Sequence, residues 1–267
     1  HAGITRSDYI IALGGGVTGD LGGFAAATFL RGIPFVQIPT TIISQVDSSV
    51  GGKVAIDLPS GKNQAGSFYQ PKGVLIDPLL IKTLPKRFIH DGMGEVIKYG
   101  CIGDTDLLAL LQKLDDTTIF DYWEEIIERC CLAKAAVVER DEYDLGERMV
   151  LNFGHTIGHA IERYYGYGKY THGEGVAAGM AMLTSVTEAM GLTKKGTTET
   201  LQNLLRRYGL PIDVVAPAES LLTYIGNDKK KRGNVITLVI IEELGRAKLL
   251  PVTAEELPKY IRKEHDL

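Results

Sequence analysis

The sequence has few cysteines, little net charge and no long apolar run. Its three cysteines among 267 residues are too few for a disulfide framework, which predicts a reducing, cytoplasmic setting. Lysine and arginine number 29 against 33 acidic residues, a net charge of −4, which argues against a nucleic-acid partner. No apolar stretch reaches the ~18 residues of a membrane-spanning helix, and no signal-peptide pattern opens the chain. We therefore expect neither nucleic acid nor membrane as a partner.

Glycine, in contrast, is abundant and clustered, with 31 residues. The hydrophobic content of 45% suffices for a substantial core, in one large domain or two ordinary ones. The first third alternates short apolar runs with a helical pattern. It predicts a buried strand at 9–13, a helix at 20–30, and strands at 35–38, 53–57 and 73–77. Strands separated by helices indicate a parallel sheet with helices on its faces.

After Leu84 and Pro85 the pattern becomes helical. The predicted helices span residues 92–99, 106–114, 122–140, 152–164, 173–190, 198–207 and 254–263. Short strands are predicted at 235–241 and 247–250. This change predicts an α/β domain over residues 1–86 and a mostly α-helical domain over residues 87–267.

A glycine loop follows the first predicted strand. Gly14, Gly16 and Gly19 satisfy G-x-G-x-x-G between a strand and a helix, where free backbone N–H groups and the helix dipole favour a pyrophosphate. No acidic residue stands about 20 positions further on to hold a ribose; the next one after Asp20 is Asp47. The loop is therefore typical of nucleotide binding, but it is equally compatible with tight helix–sheet packing.

Two lysines lie in or beside turns rich in glycine and serine. Lys53 ends the segment that begins at Ser44, and Lys62 follows Gly61. Thr40 and Thr41 follow a predicted strand, where ligand-binding loops belong in an open α/β sheet. The lysines suit a phosphorylated ligand, but solvated surface charges would have the same pattern.

Histidines and one carboxylate form the clearest chemical pattern. His155 and His159 are four residues apart on one predicted helix face, and His172 follows at the start of the next helix. Two histidines and a carboxylate with open positions are typical of catalytic zinc. Residue 156 is Thr, which argues against the H-E-x-x-H protease motif. Hydrogen-bonded core histidines remain the alternative, and the local pattern leaves the ligand set open.

Further polar residues stand near these motifs. Glu95 and Lys98 share one helix face at i and i+3. Arg148 lies one turn before Asn152, which predicts that both side chains face the same cavity. The basic run 228–232 is most often a solvated face.

Taken together, the motifs resemble the 3-dehydroquinate synthase family of sugar-phosphate cyclases. They occur in the family's order through most of the chain: residues 14–24, 37–41, 44–53, 61–63, 94–100, 152–162 and 172–174. The resemblance implies a truncated NAD-binding α/β domain followed by a helical domain that binds metal and substrate. It implies a lyase that converts 3-deoxy-D-arabino-heptulosonate 7-phosphate, a small sugar phosphate, into 3-dehydroquinate and phosphate in the shikimate pathway. NAD and Zn²⁺ or Co²⁺ would be the cofactors, and the protein would be a homodimer.

The resemblance also assigns site residues. The implied metal ligands are Glu95, His155 and His172. The implied NAD contacts are Gly16, Val17, Thr18, Gly19, Asp20, Thr40, Thr41, Lys53, Lys62, Leu80, Ile81, Lys82 and Thr83. The implied catalytic residues are Lys98, Lys134, Arg148, Asn152 and His159. The implied substrate contacts are Asp47, Lys53, Asn63, Lys229 or Lys230, and Arg31, which this family lends across its dimer interface.

Two departures from the family and three alternatives accompany this assignment. Only residues 1–8 precede the first predicted strand, so part of the cofactor site is expected to be missing. Asp144 stands where the family commonly has Glu, which shortens its reach by one methylene. The alternatives are another cyclase (a 2-deoxy-scyllo-inosose or valiolone synthase), a metal-dependent polyol dehydrogenase of related fold, and a fragment that binds metal but not NAD.

Overall fold

The computed structural model describes residues 3–59, 61–229 and 234–261. Within these ranges a parallel sheet with a covering helix precedes a mostly helical part, which confirms the predicted fold class. None of the helices in the described ranges is long and apolar enough to cross a bilayer.

The elements are numbered in chain order. The strands are β1 (Ile10–Gly14), β2 (Phe35–Pro39), β3 (Lys53–Leu58), β4 (Gly61–Phe68), β5 (Gly73–Val74), β6 (Val235–Glu243) and β7 (Arg246–Thr253). The helices are α1 (Gly16–Thr28), α2 (Lys86–Ile102), α3 (Thr105–Lys113), α4 (Trp123–Arg140), α5 (His155–Tyr164), α6 (His172–Ala189), α7 (Thr197–Arg207) and α8 (Ala218–Lys229).

The chain folds into two compact units that are not continuous in sequence. Unit 1 comprises His1–Gly92 and Trp123–Asp144, and unit 2 comprises Met93–Tyr122 and Leu145–Leu267. A single division after residue 86 was predicted instead. The difference arises because α4 packs on the turn that follows β2, where Cys131 Sγ donates to the carbonyl of residue 45 at 3.3 Å.

Unit 1 is built on a three-stranded parallel sheet in the order β1-β2-β5, with α1 on one face. Two glycines let α1 lie directly on the strands. A Cβ at Gly19 would lie 2.5 Å from Gln37 Oε1, and one at Gly23 would collide with Val54. The third glycine of the motif is therefore required for close helix–sheet packing, as the dinucleotide-binding pattern itself specifies.

Burial of β1 differs from the prediction of a buried strand. Ala12 faces α1 and is buried, but Ile11 and Leu13 are 64% and 60% exposed. A continuous apolar run predicts cover on both faces. Among the described residues, β1 buries only the face that α1 covers.

The third predicted strand is not part of the parallel sheet. β3 pairs antiparallel with β4, so that Lys53 lies opposite Phe68. The sequence of β4 was not predicted as a strand because it is polar and glycine-rich, without apolar alternation. The strand predicted at 73–77 shortens to Gly73–Val74.

Unit 2 has its core where α5, α6 and α8 pack with the β6–β7 hairpin. Ile157 and Ile161 on α5 and Leu183 on α6 are buried there. The helix α8 was not predicted, although Leu221 and Ile225 form a buried i, i+4 pair on it. Residues 262 and 263 of the final predicted helix lie outside the described residues. Of its described part, only Leu257–Tyr260 is helical, as a 3-10 turn, because Pro258 cannot continue an α-helix from within.

Candidate functional site

Two histidines of unit 2 stand in the first turns of neighbouring helices. Gly154 adopts a left-handed conformation with φ of 80°, so α5 begins at His155 rather than at residue 152 as predicted. In α6, the Thr171 N–H donates to Glu174 Oε2 at 2.8 Å, which fixes the turn that carries His172. The rings of His155 and His172 lie 5.1 Å apart between centroids.

Glu95 on α2 meets both rings. Its Oε1 atom lies 3.3 Å from His155 Nε2 and 3.3 Å from His172 Nε2. All three ligand atoms lie within 4.8 Å of one another. Ligand atoms around a tetrahedral zinc ion, with bonds of about 2.0–2.1 Å, are about 3.3–3.4 Å apart. The separations therefore fit a divalent metal ion held by two imidazoles and one carboxylate.

Each of these three side chains is held by a further group. Lys98 forms an ion pair with Glu95 Oε2 inside the protein. His155 Nδ1 donates to the carbonyl of Phe153 at 3.1 Å, and His172 Nδ1 donates to Glu162 Oε2 at 3.4 Å. Hydrogen bonds of this kind fix the ring orientation and leave the opposite nitrogen available to a metal.

The neighbouring charges in this cluster shift the pKa values of Glu95 and His172. Burial raises the pKa of Glu95, but Lys98 and the two imidazoles lower it by more, so that it lies well below its usual range. Burial lowers the pKa of His172, but the carboxylates of Glu162 and Glu95 outweigh it and raise that pKa to about 10. Because a ligating imidazole is neutral, a metal ion bound at His172 would displace a proton.

The structure brings some of the other unit 2 candidates to this cluster. The His159 ring lies 5.5 Å from that of His155 and 5.7 Å from that of His172. Arg148 is buried, whereas Asn152 is exposed. Residues 147–152 form a 3-10 helix, in which three residues make a turn, so Arg148 and Asn152 are not aligned as they would be in an α-helix. That these two side chains face the same cavity stays a prediction.

The backbones at Gly94 and Gly173 approach each other closely, and this approach sets the distance between Glu95 and His172. A Cβ at Gly94 would lie 2.6 Å from the carbonyl oxygen of Gly173. We expect Gly94→Ala to weaken Zn²⁺ binding several-fold and to lower the free energy of unfolding by about 1–3 kcal/mol, the usual cost of overpacking. Chelator competition and urea denaturation measure the two effects. Gly103→Ala is the matched control, since a Cβ there meets nothing within 4 Å; equal behaviour of the two variants would contradict the prediction.

In unit 1 the predicted NAD contacts surround the start of α1. Val17 and Thr18 are exposed in its first turn, where backbone N–H groups lack intrahelical partners. The Thr41 hydroxyl instead forms a hydrogen bond with the Ser44 hydroxyl, with 2.9 Å between the two oxygens. The predicted contacts at 80–83 lie in the 3-10 helix Pro78–Thr83, where Lys82 is exposed but Ile81 is fully buried and offers no side-chain surface to a ligand.

Charged candidates of unit 1 form two ion pairs. Lys134 on α4 pairs with the Asp47 carboxylate, and its Nζ also donates to the Asp47 carbonyl at 2.6 Å. Lys53 Nζ lies 2.5 Å from Asp144 Oδ2, so the shorter Asp144 side chain does reach a cation. The sequence did not reveal either pairing, because 87 and 91 residues separate the partners.

Asp20 on α1 is a carboxyl group of unit 1 with a raised pKa. Burial, assisted by Asp57 and opposed by Lys134, raises the pKa of Asp20 to about 6 from 3.8. A raised pKa means that the folded state favours the protonated carboxyl, so this contribution to stability is present in acid and is lost as pH rises through 6.

We therefore expect Asp20→Asn to unfold at higher urea concentration than the unsubstituted protein at pH 7.5. This advantage should shrink as pH falls through 6 and vanish below about 4. Urea denaturation across this range measures it. The same change at exposed Asp121 should give a difference independent of pH; a pH-independent difference at Asp20 as well would contradict the assignment.

The remaining candidates lie on the surface or outside the described residues. Arg31 is exposed after α1 with φ of 67°, and Lys62 is exposed on β4. Asn63 is also exposed, and its N–H donates to Asp57 Oδ1 at 2.9 Å. Lys229 is the last residue of α8, and Lys230 lies outside the described residues.

Comparisons with known proteins agree with one another. A family model described as "3-dehydroquinate synthase N-terminal" matches residues 1–91, and one described as "3-dehydroquinate synthase C-terminal" matches residues 92–231. A curated protein of Clostridium acetobutylicum, named 3-dehydroquinate synthase, is 54% identical over 261 residues. That match covers 97% of this chain and 73% of the relative.

Solved structures of related enzymes superimpose on most of the chain. A 2-deoxy-scyllo-inosose synthase, solved with carbaglucose-6-phosphate, NAD⁺ and Co²⁺, is 30% identical with a TM-score of 0.87, covering 97% of this chain and 75% of that one. The 2-epi-5-epi-valiolone synthase of Streptomyces hygroscopicus, with NAD⁺ and Zn²⁺, has a TM-score of 0.87 at 24% identity, covering 96% and 73%. At that identity the second structure supports the fold alone.

Proposed function

The chain belongs to the 3-dehydroquinate synthase family, and from this we infer that it converts 3-deoxy-D-arabino-heptulosonate 7-phosphate into 3-dehydroquinate and phosphate with NAD and a divalent metal. The observation that carries the proposal is the triad of Glu95, His155 and His172, whose spacing of 3.3 Å about the carboxylate oxygen suits Zn²⁺ or Co²⁺. The 2-deoxy-scyllo-inosose synthase solved with NAD⁺ and Co²⁺, 30% identical to this chain, supports NAD and a divalent metal as cofactors.

The metal would be held by Glu95, His155 and His172 in unit 2, and NAD by the glycine loop and the start of α1 in unit 1. When bound, NAD accepts and later returns a hydride, and the metal acts as a Lewis acid on the substrate's oxygens. The loop supplies backbone N–H groups to the pyrophosphate of NAD, and Gly19 keeps α1 close enough to the strand to aim them.

The lysines and Arg148 would bind the phosphate and carboxylate of the substrate. Lys134 has three donors, and Asp47 receives two of them, at its carboxylate and its carbonyl. We assign this ammonium, by its charge, to a substrate anion as well. Arg148, being planar, suits a bidentate anion, and Asn152 supplies an exposed amide after it.

His159 would be the protein group that exchanges a proton with the ring oxygen as the substrate ring opens. It is the exposed member of the histidine cluster, and the other two rings face Glu95 through Nε2. We assign substrate contacts also to Lys53, Lys98, Asn63, and Lys229 or Lys230. Arg31 would reach the phosphate of a second subunit in a cytoplasmic homodimer.

The competing dehydrogenase function differs in its products. A polyol dehydrogenase accumulates NADH, whereas a cyclase returns the hydride and uses NAD catalytically. Curated relatives that are 54% and 51% identical to this chain are named 3-dehydroquinate synthase, not dehydrogenase. A neutral polyol substrate would also require none of the cations that pair with Asp47 and Glu95.

Phosphate release tests the proposal. The zinc-loaded full chain is mixed with the heptulosonate phosphate and substoichiometric NAD, and phosphate and absorbance at 340 nm are followed together, with a version extended at the N-terminus run in parallel. We expect many phosphates per NAD without lasting NADH. Accumulation of NADH, or no phosphate release from either version, would overturn the proposal.

A further inference from the structure

Glu162 is a buried carboxylate on α5 that faces the outer side of the His172 ring. Its Oε2 atom lies 3.4 Å from His172 Nδ1, and the side chain is only 5% exposed. The other ring nitrogen, Nε2, lies 3.3 Å from Glu95 Oε1. His172 therefore stands between two carboxylates, one on each nitrogen.

This arrangement determines which nitrogen keeps its hydrogen when a metal ion binds beside Glu95. A neutral imidazole has one N–H and one lone pair. A metal ion beside Glu95 would take the lone pair of Nε2, and Nδ1 then keeps the N–H that is directed at Glu162. The opposite tautomer would place a lone pair of Nδ1 against the Glu162 carboxylate and leave no lone pair on Nε2 for the metal. We propose that Glu162 is a positioning residue that fixes the tautomer and orientation of His172 for metal binding.

The inference rests on the proposed metal site, but it concerns a residue to which neither the motifs nor the family assignment gives a role. It also distinguishes the two proposed histidine ligands by their hydrogen-bond acceptors. His155 Nδ1 donates to the neutral carbonyl of Phe153, whereas His172 donates to a charged acceptor. A carboxylate partner raises the basicity of a ligating imidazole more than a carbonyl does, so His172 is expected to be the stronger histidine ligand.

A second ion is the competing explanation of the same residues. Ligand atoms of His159, Glu162 and His172 also lie within 4.8 Å of one another. Occupying both groups at once would require His172 to bridge two ions through both nitrogens, with loss of its last ring proton. A neutral ring that donates to Glu162 needs no such ionisation, which favours the positioning role. The number of ions bound distinguishes the two.

The experiment measures metal binding rather than turnover. The full chain and its variants Glu162→Gln and Glu162→Ala are stripped with a chelator and titrated with Zn²⁺ against a chromophoric competitor, and with Co²⁺ by visible absorption. Glu188→Gln is the matched control, because Glu188 lies on α6 like His172 but accepts from the backbone N–H groups of Gly196 at 2.8 Å and Thr198 at 2.7 Å.

We expect one ion per chain throughout. Glu162→Ala should weaken Zn²⁺ binding about 10–100-fold, as is typical for loss of an outer partner, and shift the Co²⁺ bands. Glu162→Gln keeps an acceptor oxygen and should fall between Ala and the unsubstituted protein. Glu188→Gln should change neither measurement, even if it lowers stability.

Three results would overturn the inference, each in a recognisable way. Unaltered affinity and spectrum in Glu162→Ala would show that Glu162 does not act on His172. Two ions in the unsubstituted protein and one in Glu162→Ala would make Glu162 a ligand of a second ion. No binding in the unsubstituted protein would overturn the proposed metal site itself. If the alanine variant fails to fold, the glutamine variant gives the same readout.

Discussion

Glu95→Gln is expected to remove metal binding and metal-dependent turnover. The change takes away the negative charge that faces His155 and His172, so the loss of Zn²⁺ affinity should exceed the 10–100-fold typical of an outer partner. It also leaves the Lys98 ammonium, 1% exposed, without its carboxylate. Removing one partner of a buried ion pair costs about 3–5 kcal/mol, so the free energy of unfolding should fall as well.

Two controls separate these effects. His172→Ala removes a metal ligand but keeps the Glu95–Lys98 pair, so it should lose the metal and phosphate release with a smaller loss of stability. Glu125→Gln makes the same chemical change at an exposed pair with Arg129, where little is expected. Metal content, urea denaturation and phosphate release are measured on all three. Retained metal and full turnover in either Glu95→Gln or His172→Ala would contradict the ligand assignment.

Lys134→Met is expected to have the largest effect among the cation variants of unit 1. Methionine fills the space of the buried lysine stem but offers no charge to a substrate anion. Loss of one well-placed electrostatic group typically costs about 10²–10³ in rate, so kcat/KM for phosphate release should fall by that factor. The ion pair between Lys134 and the Asp47 carboxylate would also be lost, which should lower the free energy of unfolding.

Lys72→Met serves as the matched control, because Lys72 is an exposed lysine of the same unit. It should change neither kcat/KM nor stability appreciably. Steady-state kinetics at several substrate concentrations, together with urea denaturation, make the comparison. If Lys134→Met retained the kcat/KM of the Lys72 variant, Lys134 would have only a structural role.

Periodicity made part of the metal site predictable. His155 and His159 were placed on one helix face by their spacing, and their rings are neighbours. Glu95 was assigned to the predicted metal site only through the family resemblance, because no local sequence pattern connects α2 to α6. Glu162 could have been found, since it lies seven residues after His155, about two helical turns, but a glutamate on a helix has no distinctive signal.

Pairings over long sequence separations could not be predicted. Nothing in the sequence indicates that Lys134 pairs with Asp47 or Lys53 with Asp144, because tertiary packing alone brings them together. The local backbone was also not predicted at Arg148 and Asn152, where a 3-10 helix replaces the expected α-helical turn. The parallel sheet was predictable from alternating elements, but the hairpin of β3 and β4 was not, because β4 buries little apolar surface.

X-ray absorption spectroscopy at the zinc edge, on the full chain loaded with one equivalent of Zn²⁺, tests the central claim most directly. The account predicts a first shell of nitrogen and oxygen at about 2.0–2.1 Å, with the outer-ring scattering of two imidazoles, from Glu95, His155 and His172. A shell containing sulfur at about 2.3 Å, or zinc without imidazole scattering, would contradict it.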